Sequence, residues 1–370
     1  LKRILLSARD PGGAGHIIAI ARHFRESTEF DIKLVASEPA YEILSKAGEE
    51  PILFEFVIRN SCGVNNSADH ELLLNSAKQI FREITPDAIL VSLSSLGVGI
   101  DEALLAVADV PKFAIQDFWG DVNLGLGTPA DLYFVLDQYA VEFSKNRWGV
   151  RAEAVGAPKY TLYSDLDIAR IRNSFRRYLG ADSSGTVLGW FGQSPDIPGH
   201  EEVFTDVLDA IAGLEVKPKL ILREHPKFSK SLKAHLAAAS RRGIEFVDVS
   251  GRDSVEECLL ACDLVITPFS LCGLDHAYLS AHSPAPVGSV IYVMTNDPIK
   301  RFCDKVNGMI SLPIVDQGIG RLITDPGQLV NTINQQLNSD NIWDYFTNSK
   351  MLTGNKPLAK ITESISASLK

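Results

Sequence analysis

Two stretches in the first half of this 370-residue chain gather residue types that do chemistry. The first is Arg9-Asp10-Pro11-Gly12-Gly13-Ala14-Gly15-His16, directly after the apolar run RILLSA (3–8). Glycines let a backbone approach a ligand closely, and a helix start offers free N–H groups to an anion. An imidazole just behind such a turn is a candidate general base; equally, His16 can cap or pack the turn. The glycine spacing is not G-x-G-x-x-G and no acidic residue clearly ends the second apolar run, which disfavours a dinucleotide. The second stretch is Gln116-Asp117-Phe118-Trp119-Gly120-Asp121-Val122-Asn123. Asp117 or Asp121 can orient His16 or serve as acid or base; the structural alternative is a turn whose aspartates cap helices and satisfy loop backbone. Gly12, Gly13 and Trp119 are the candidate acceptor contacts.

The second half carries anion-binding chemistry. Gly192-Gln193-Ser194 follows the run TVLGWF, and Arg223-Glu224-His225-Pro226-Lys227 follows KLIL. Arg, His and Lys at one strand end make a compact anion site, or else a surface ion-pair cluster with Glu224. Asp253, with Glu256 three residues on, reads as a structural helix cap. Ser270, in Thr267-Pro268-Phe269-Ser270-Leu271-Cys272-Gly273-Leu274-Asp275-His276, stands at a predicted helix start. Its hydroxyl suits a phosphate there or simply caps the helix. Asp275, one turn in, is placed to accept from ribose hydroxyls.

These residues need strand ends to hold them. Apolar runs at 3–8, 31–37, 51–56, 87–93, 112–116, 132–137 and 152–156 alternate with helical patterns. A second series follows at 186–193, 219–225, 245–250, 263–268 and 289–294. Such alternation predicts βαβ units and mostly parallel sheets, whose ligands bind beyond the carboxyl ends of strands. The expected domains are 1–180 and 181–370, with GADSSG (180–185) as hinge and the last ~30 residues helical and able to cross back.

Composition narrows the class. Hydrophobic residues make up 45% and charged residues 22%, with a net charge of −10, which argues against a sequence-independent grip on nucleic acid. The arginines of 170–177 predict a solvated helix face, or alternatively a patch for peripheral membrane contact. No apolar run reaches the ~18–20 residues of a membrane span, and the five scattered cysteines suit a reducing compartment, so a cytoplasmic protein is expected. Cys258 and Cys262, four apart, offer at most half a zinc site and are expected as packed thiols.

The pattern R-x-H-P (223–226), D-S-x-x-E-x-x-x-x-x-D (253–263) and V-I-T-P-x-S-x-x-G-x-D (265–275) resembles the nucleotide-binding half of GT-B glycosyltransferases. The resemblance is to bacterial capsule and wall-polymer transferases, of the Kdo, sialic-acid and CDP-glycerol glycerophosphotransferase types, and more loosely to UDP-N-acetylglucosamine 2-epimerases. The segment 115–137 is similar to the acidic loop of capsule Kdo transferases, and Gly12–His16 to the early glycine loop of UDP-sugar transferases. Gln116-Asp117-Phe118 stands where those families carry an acidic pair, and Leu271 where a second serine often follows. The resemblance implies a GT-B-like α/β fold with two Rossmann-like domains facing across a cleft and no obligatory metal or cofactor. It implies a UDP- or CMP-sugar donor and a glycan or small-molecule hydroxyl acceptor, in surface glycan or polysaccharide synthesis. His225, Pro226 and Ser270 match phosphate ligands of those families. A nucleotide-sugar epimerase or hydrolase, or a non-catalytic binding protein on the same fold, are the alternatives.

Overall fold

A computed structural model describes residues 1–55, 67–93, 97–181, 185–194, 197–225, 232–252, 254–309 and 311–370. The chain forms two compact units, residues 1–162 with 355–370, and residues 163–354.

The first unit contains β1 (Lys2–Ala8), α1 (Pro11–Ser27), β2 (Phe30–Ala36), α2 (Ala40–Lys46), β3 (Ile52–Leu53), α3 (Ser67–Ile84), β4 (Ala88–Ser92), α4 (Ile100–Val107), β5 (Lys112–Ile115), β6 (Leu132–Val135), α5 (Gln138–Trp148) and β7 (Ala152–Ala154). The strands form one sheet in the order β3-β2-β1-β4-β5-β6-β7. Every pairing is parallel, as in Ile4 opposite both Ile32 and Ala88. The near-continuous apolar runs of β1 and β4 follow from burial on both sheet faces. Ile17, Ile20 and Phe24 on α1 pack onto Ile4 and Leu6 of β1. Order reverses between β1 and β4, so the crevice beyond their carboxyl ends is the position where such sheets take ligands.

The second unit contains α6 (Ile168–Tyr178), β8 (Val187–Phe191), α7 (His200–Ala212), β9 (Lys219–Arg223), α8 (Leu232–Arg241), β10 (Phe246–Asp248), α9 (Val255–Ala261), β11 (Leu264–Thr267), α10 (Leu271–His282) and β12 (Ser289–Val293). It continues through α11 (Asp297–Asn307), α12 (Pro313–Asp316), β13 (Arg321–Ile323), α13 (Leu329–Gln336) and α14 (Ser339–Ser349). Its parallel sheet has the order β10-β9-β8-β11-β12-β13, reversing between β8 and β11. The last helix, α15 (Pro357–Ser368), belongs to the first unit, where Ile361 and Ile365 are fully buried in the core.

The units divide at 162/163 rather than at 180, and α6 lies in the second unit. The reason is chemical. The Arg172 guanidinium donates to the carbonyls of Cys262 (2.9 Å) and Val287 (2.8 Å), and Arg176 meets Asp263 at 3.0 Å. Asp263 in turn accepts from the Val187 N–H at 2.8 Å. These two arginines are therefore fasteners on the amino ends of β8 and β11, which corrects the expectation of a wholly solvated basic face; Arg170 and Arg177 remain exposed. Of the hinge candidate 180–185, residues 182–184 lie outside the described residues. Among the described residues no helix is long and apolar enough to cross a membrane.

Candidate functional site

The glycines of the first stretch are not a loop before the helix; they are its first turns. Pro11 opens α1, and Asp10 caps it by accepting from the Gly13 N–H at 2.9 Å. Three glycines leave room for side chains from other elements. A Cβ at Gly12 would lie 1.8 Å from Asp117 Oδ2, one at Gly13 2.4 Å from Ser92 Oγ, and one at Gly15 3.4 Å from Lys159 Cβ. This glycine surface brings the end of β4, the segment after β5 and the segment after β7 onto the start of α1.

His16 therefore sits in the second turn of α1, on its inward face, with no exposed surface. Its Nε2 lies 3.0 Å from Asp117 Oδ1, while its Nδ1 accepts from the Lys159 backbone N–H at 3.4 Å. That pairing makes Nε2 the protonated nitrogen, donating to Asp117. The Lys159 ammonium meets the same Asp117 oxygen at 3.2 Å and lies 4.7 Å from the Tyr160 ring centroid. Burial alone would raise the Asp117 carboxyl; the Lys159 charge and the His16 hydrogen bond outweigh it and hold the group well below the usual carboxylate range. Asp121 has the opposite fate. Burial first, then the charges of Asp117 and Asp10, push it well above the usual range, with Arg147 pulling the other way. The two carboxyl groups of this segment are thus shifted in opposite directions.

Trp119 is buried and its Nε1 donates at 3.0 Å to Asp137, the residue capping α5, so the indole is anchored to the scaffold. Beneath Gly13 lies a further acidic group that the sequence reading did not single out. Asp101 accepts from Ser7 and, at 3.4 Å, from Ser92, and burial raises it well above the usual range. Lys159 also went unread: the only signal for it is its position after β7, at a carboxyl strand end.

In the second unit Gly192, Gln193 and Ser194 follow β8, His225 follows β9 and Ser270 follows β11. With β10 at the sheet edge and β8 between β9 and β11, all three segments lie at neighbouring strand ends around the order reversal. Pro226, Lys227 and Asp253 lie outside the described residues. Ser270 is the N-cap of α10, its Oγ accepting from the Cys272 N–H at 3.3 Å, and Ser254 is the N-cap of α9. Asp275 is buried on α10. A Cβ at Gly273 would lie 2.5 Å from Tyr292 Oη, and one at Gly192 2.4 Å from Glu224 Oε2, so both glycines admit scaffold side chains. The Arg223 guanidinium is half-buried and donates to the Val249 carbonyl at 3.0 Å. Glu224 turns inward to His235 Nδ1 (2.7 Å), whose Nε2 meets Glu201 at 2.5 Å. Cys258 and Cys262 are buried thiols that donate to the carbonyls one turn back, of Ser254 and Cys258.

No protein-family model and no curated protein matches the sequence. Solved structures do match its fold. UDP-GlcNAc 2-epimerase from Neisseria meningitidis, bound to UDP-GlcNAc, aligns over 99% of this chain and 100% of its own at 10% identity and a TM-score of 0.69. MurG of Acinetobacter baumannii aligns over 99% and 100% at 12% identity and a TM-score of 0.63. Anabaena HepE, in complex with UDP, aligns over 100% and 99% at 17% identity and a TM-score of 0.60. At these identities the likeness is one of fold: two parallel sheets of seven and six strands in a GT-B-like α/β chain.

Proposed function

We propose that the protein is a nucleotide-sugar glycosyltransferase whose first unit supplies the acid–base group and whose second unit holds the nucleotide. The observation that carries this reading is the contrast between two carboxyl groups of one segment, Asp117 held low by Lys159 and His16 and Asp121 raised by burial and its acidic neighbours, beside the glycine-surfaced start of α1. Carboxyl groups pushed apart in this way mark acid–base work, because a proton affinity raised toward neutrality suits general catalysis. Both ring nitrogens of His16 face protein groups, so the imidazole serves here to hold Asp117, and Asp121 is the proton acceptor. In the reaction the ionised form of Asp121 takes the acceptor hydroxyl proton. The freed oxygen bonds to the anomeric carbon, and the nucleotide phosphate departs with the electron pair of the broken C–O bond. Gly192–Ser194, His225, Ser270 and the positive N-terminal end of α10 are proposed to hold that phosphate, with Asp275 toward the ribose. The likeness to structures solved with UDP and UDP-GlcNAc supports a uridine nucleotide as the first ligand to test.

The test is NMR of the full chain with UDP-GlcNAc, and with UDP-glucose and CMP-sialic acid in parallel, each with and without hydroxyl acceptors. A transferase releases nucleotide only when acceptor is present. An epimer or free sugar formed from donor alone replaces this reading by the isomerase or hydrolase alternative, for which the same raised Asp121 would serve. Asp121→Asn should lower turnover by about 100-fold or more. It should also remove the limb of activity that rises with pH as Asp121 ionises.

A further inference from the structure

We infer that Lys159 is the positioning residue of the acid–base segment, its ammonium fixing the negative charge on Asp117 and its backbone N–H fixing the ring of His16. Three contacts converge on this one residue. Its Nζ is 3.2 Å from Asp117 Oδ1, its N–H is 3.4 Å from His16 Nδ1, and its stem runs along Gly15 of α1, where an added Cβ would come within 3.4 Å of it. The side chain is 13% exposed, and its ammonium also lies over the Tyr160 ring. A charge held this far from water interacts more strongly than one on the surface, since solvent screens it less.

The consequence reaches beyond the contact. Among the described residues, the charged and titratable groups facing the Asp117–Asp121 segment are Asp10 at the α1 cap, His16 on α1, Asp137 at the α5 cap, Arg147 on α5 and Lys159 after β7. Of these, Lys159 is the cation that touches Asp117. While it is in place Asp117 is held low and Asp121 is the raised carboxyl of the two. Without it the two carboxyl groups compete for one proton, and their titrations merge into those of a coupled pair. Lys159 thus decides which carboxyl can act, without itself meeting the reacting atoms. This inference rests on the reading of Asp121 as proton acceptor, but its test does not require turnover.

The experiment is a pH titration of the Asp117 carboxyl carbon by NMR in the full chain labelled at aspartate, with the signal assigned by its loss in Asp117→Asn. In the native protein the signal should stay flat from mildly acidic pH upward. In Lys159→Met a titration should enter the acidic range, its midpoint raised by about 1–3 pH units. Lys159→Arg should restore the flat profile. Lys159→Gln keeps a donor without the charge, covers the case in which the methionine variant fails to fold, and should behave like it. An Asp117 titration in the neutral variants that matches the native protein overturns the inference. If Asp117 responds as expected while the native protein turns over no nucleotide sugar, the transferase reading fails and the role of Lys159 stands.

Discussion

Gly12 shows how a residue read for one reason is present for another. Its type suggested close approach of the backbone to a ligand, whereas the bare Cα faces Asp117 Oδ2. Alanine at this helical position would gain roughly 1 kcal/mol of helix propensity. Against that, its Cβ would lie 1.8 Å from an oxygen whose partner oxygen is pinned by His16 and Lys159. A short, doubly held carboxylate has no alternative rotamer that keeps these bonds, and overpacking of this kind costs about 1–3 kcal/mol. Gly12→Ala should therefore be net destabilising by about 1 kcal/mol and should abolish the His16–Asp117 hydrogen bond, read from urea denaturation and from the His16 side-chain nitrogen shifts. A more stable variant with His16 unchanged would show that Asp117 is not held as described. Residue types and the carboxyl-end rule brought His16, Asp117 and Asp121 forward from the sequence, but the inward orientation of His16 was not legible. Which helix face His16 occupies depends on α1 beginning at Pro11, five residues before it.

Strands were the most legible elements, because parallel sheets buried on both faces leave apolar runs that neither loops nor surface helices share. All seven strands of the first sheet stand where those runs lie, although β3 shrinks to Ile52–Leu53 at the sheet edge. The exception is β13: three residues, Arg321–Ile323, are too few to show a period. Helix faces are harder to read, and the α7–α8 pair shows why. His200 on α7 is buried near Trp190 and His235, and burial, reinforced by His235 and His225, lowers it to about 4. His235 on α8, held between Glu224 and Glu201, is raised despite its burial. The two act with opposite sign. A depressed histidine binds fewer protons folded than unfolded, so its contribution is present above about 6.5 and is lost as the pH falls toward 4. The raised histidine contributes below about 6.5 and loses that contribution as the pH rises through its folded value. Replacing His200 by Gln should remove the first effect only. Between pH 7 and pH 5 the stability of the native chain relative to His200→Gln should fall by about 2 kcal/mol. Urea denaturation at the two pH values reads this, and a pH-independent difference would mean that His200 takes up its proton as readily in the folded chain as in the unfolded one, so that burial does not depress it.

At the scale of the whole chain, the two-sheet architecture follows from the repeated strand–helix series, but the division between the units does not. The glycine- and serine-rich stretch at 180–185 looks like a hinge, yet Arg172 and Arg176 tie α6 to Asp263 and to carbonyls of the second unit. Two arginines finding one aspartate ninety residues away leave no local pattern. The return of the chain to the first unit was partly legible as a helical tail. The structure gives it a definite role: α15 buries Ile361 and Ile365 in the first core, Lys360 donates to the Ala154 carbonyl at 3.0 Å, and Ser364 donates to Glu153 at 2.7 Å. The first unit is thus assembled from both ends of the sequence, and its stability should depend on residues far from it in the chain. Each buried isoleucine truncated to alanine costs about 2–5 kcal/mol. Ile361→Ala with Ile365→Ala should therefore loosen the first unit selectively. In hydrogen exchange, amides of β1, β2 and β4 should lose protection, while those of β8, β11 and β12 keep theirs, because neither side chain belongs to the second unit. Equal loss in both sheets would show that the two units unfold as one cooperative body. Unchanged protection in the first would mean that α15 does not contribute to its core.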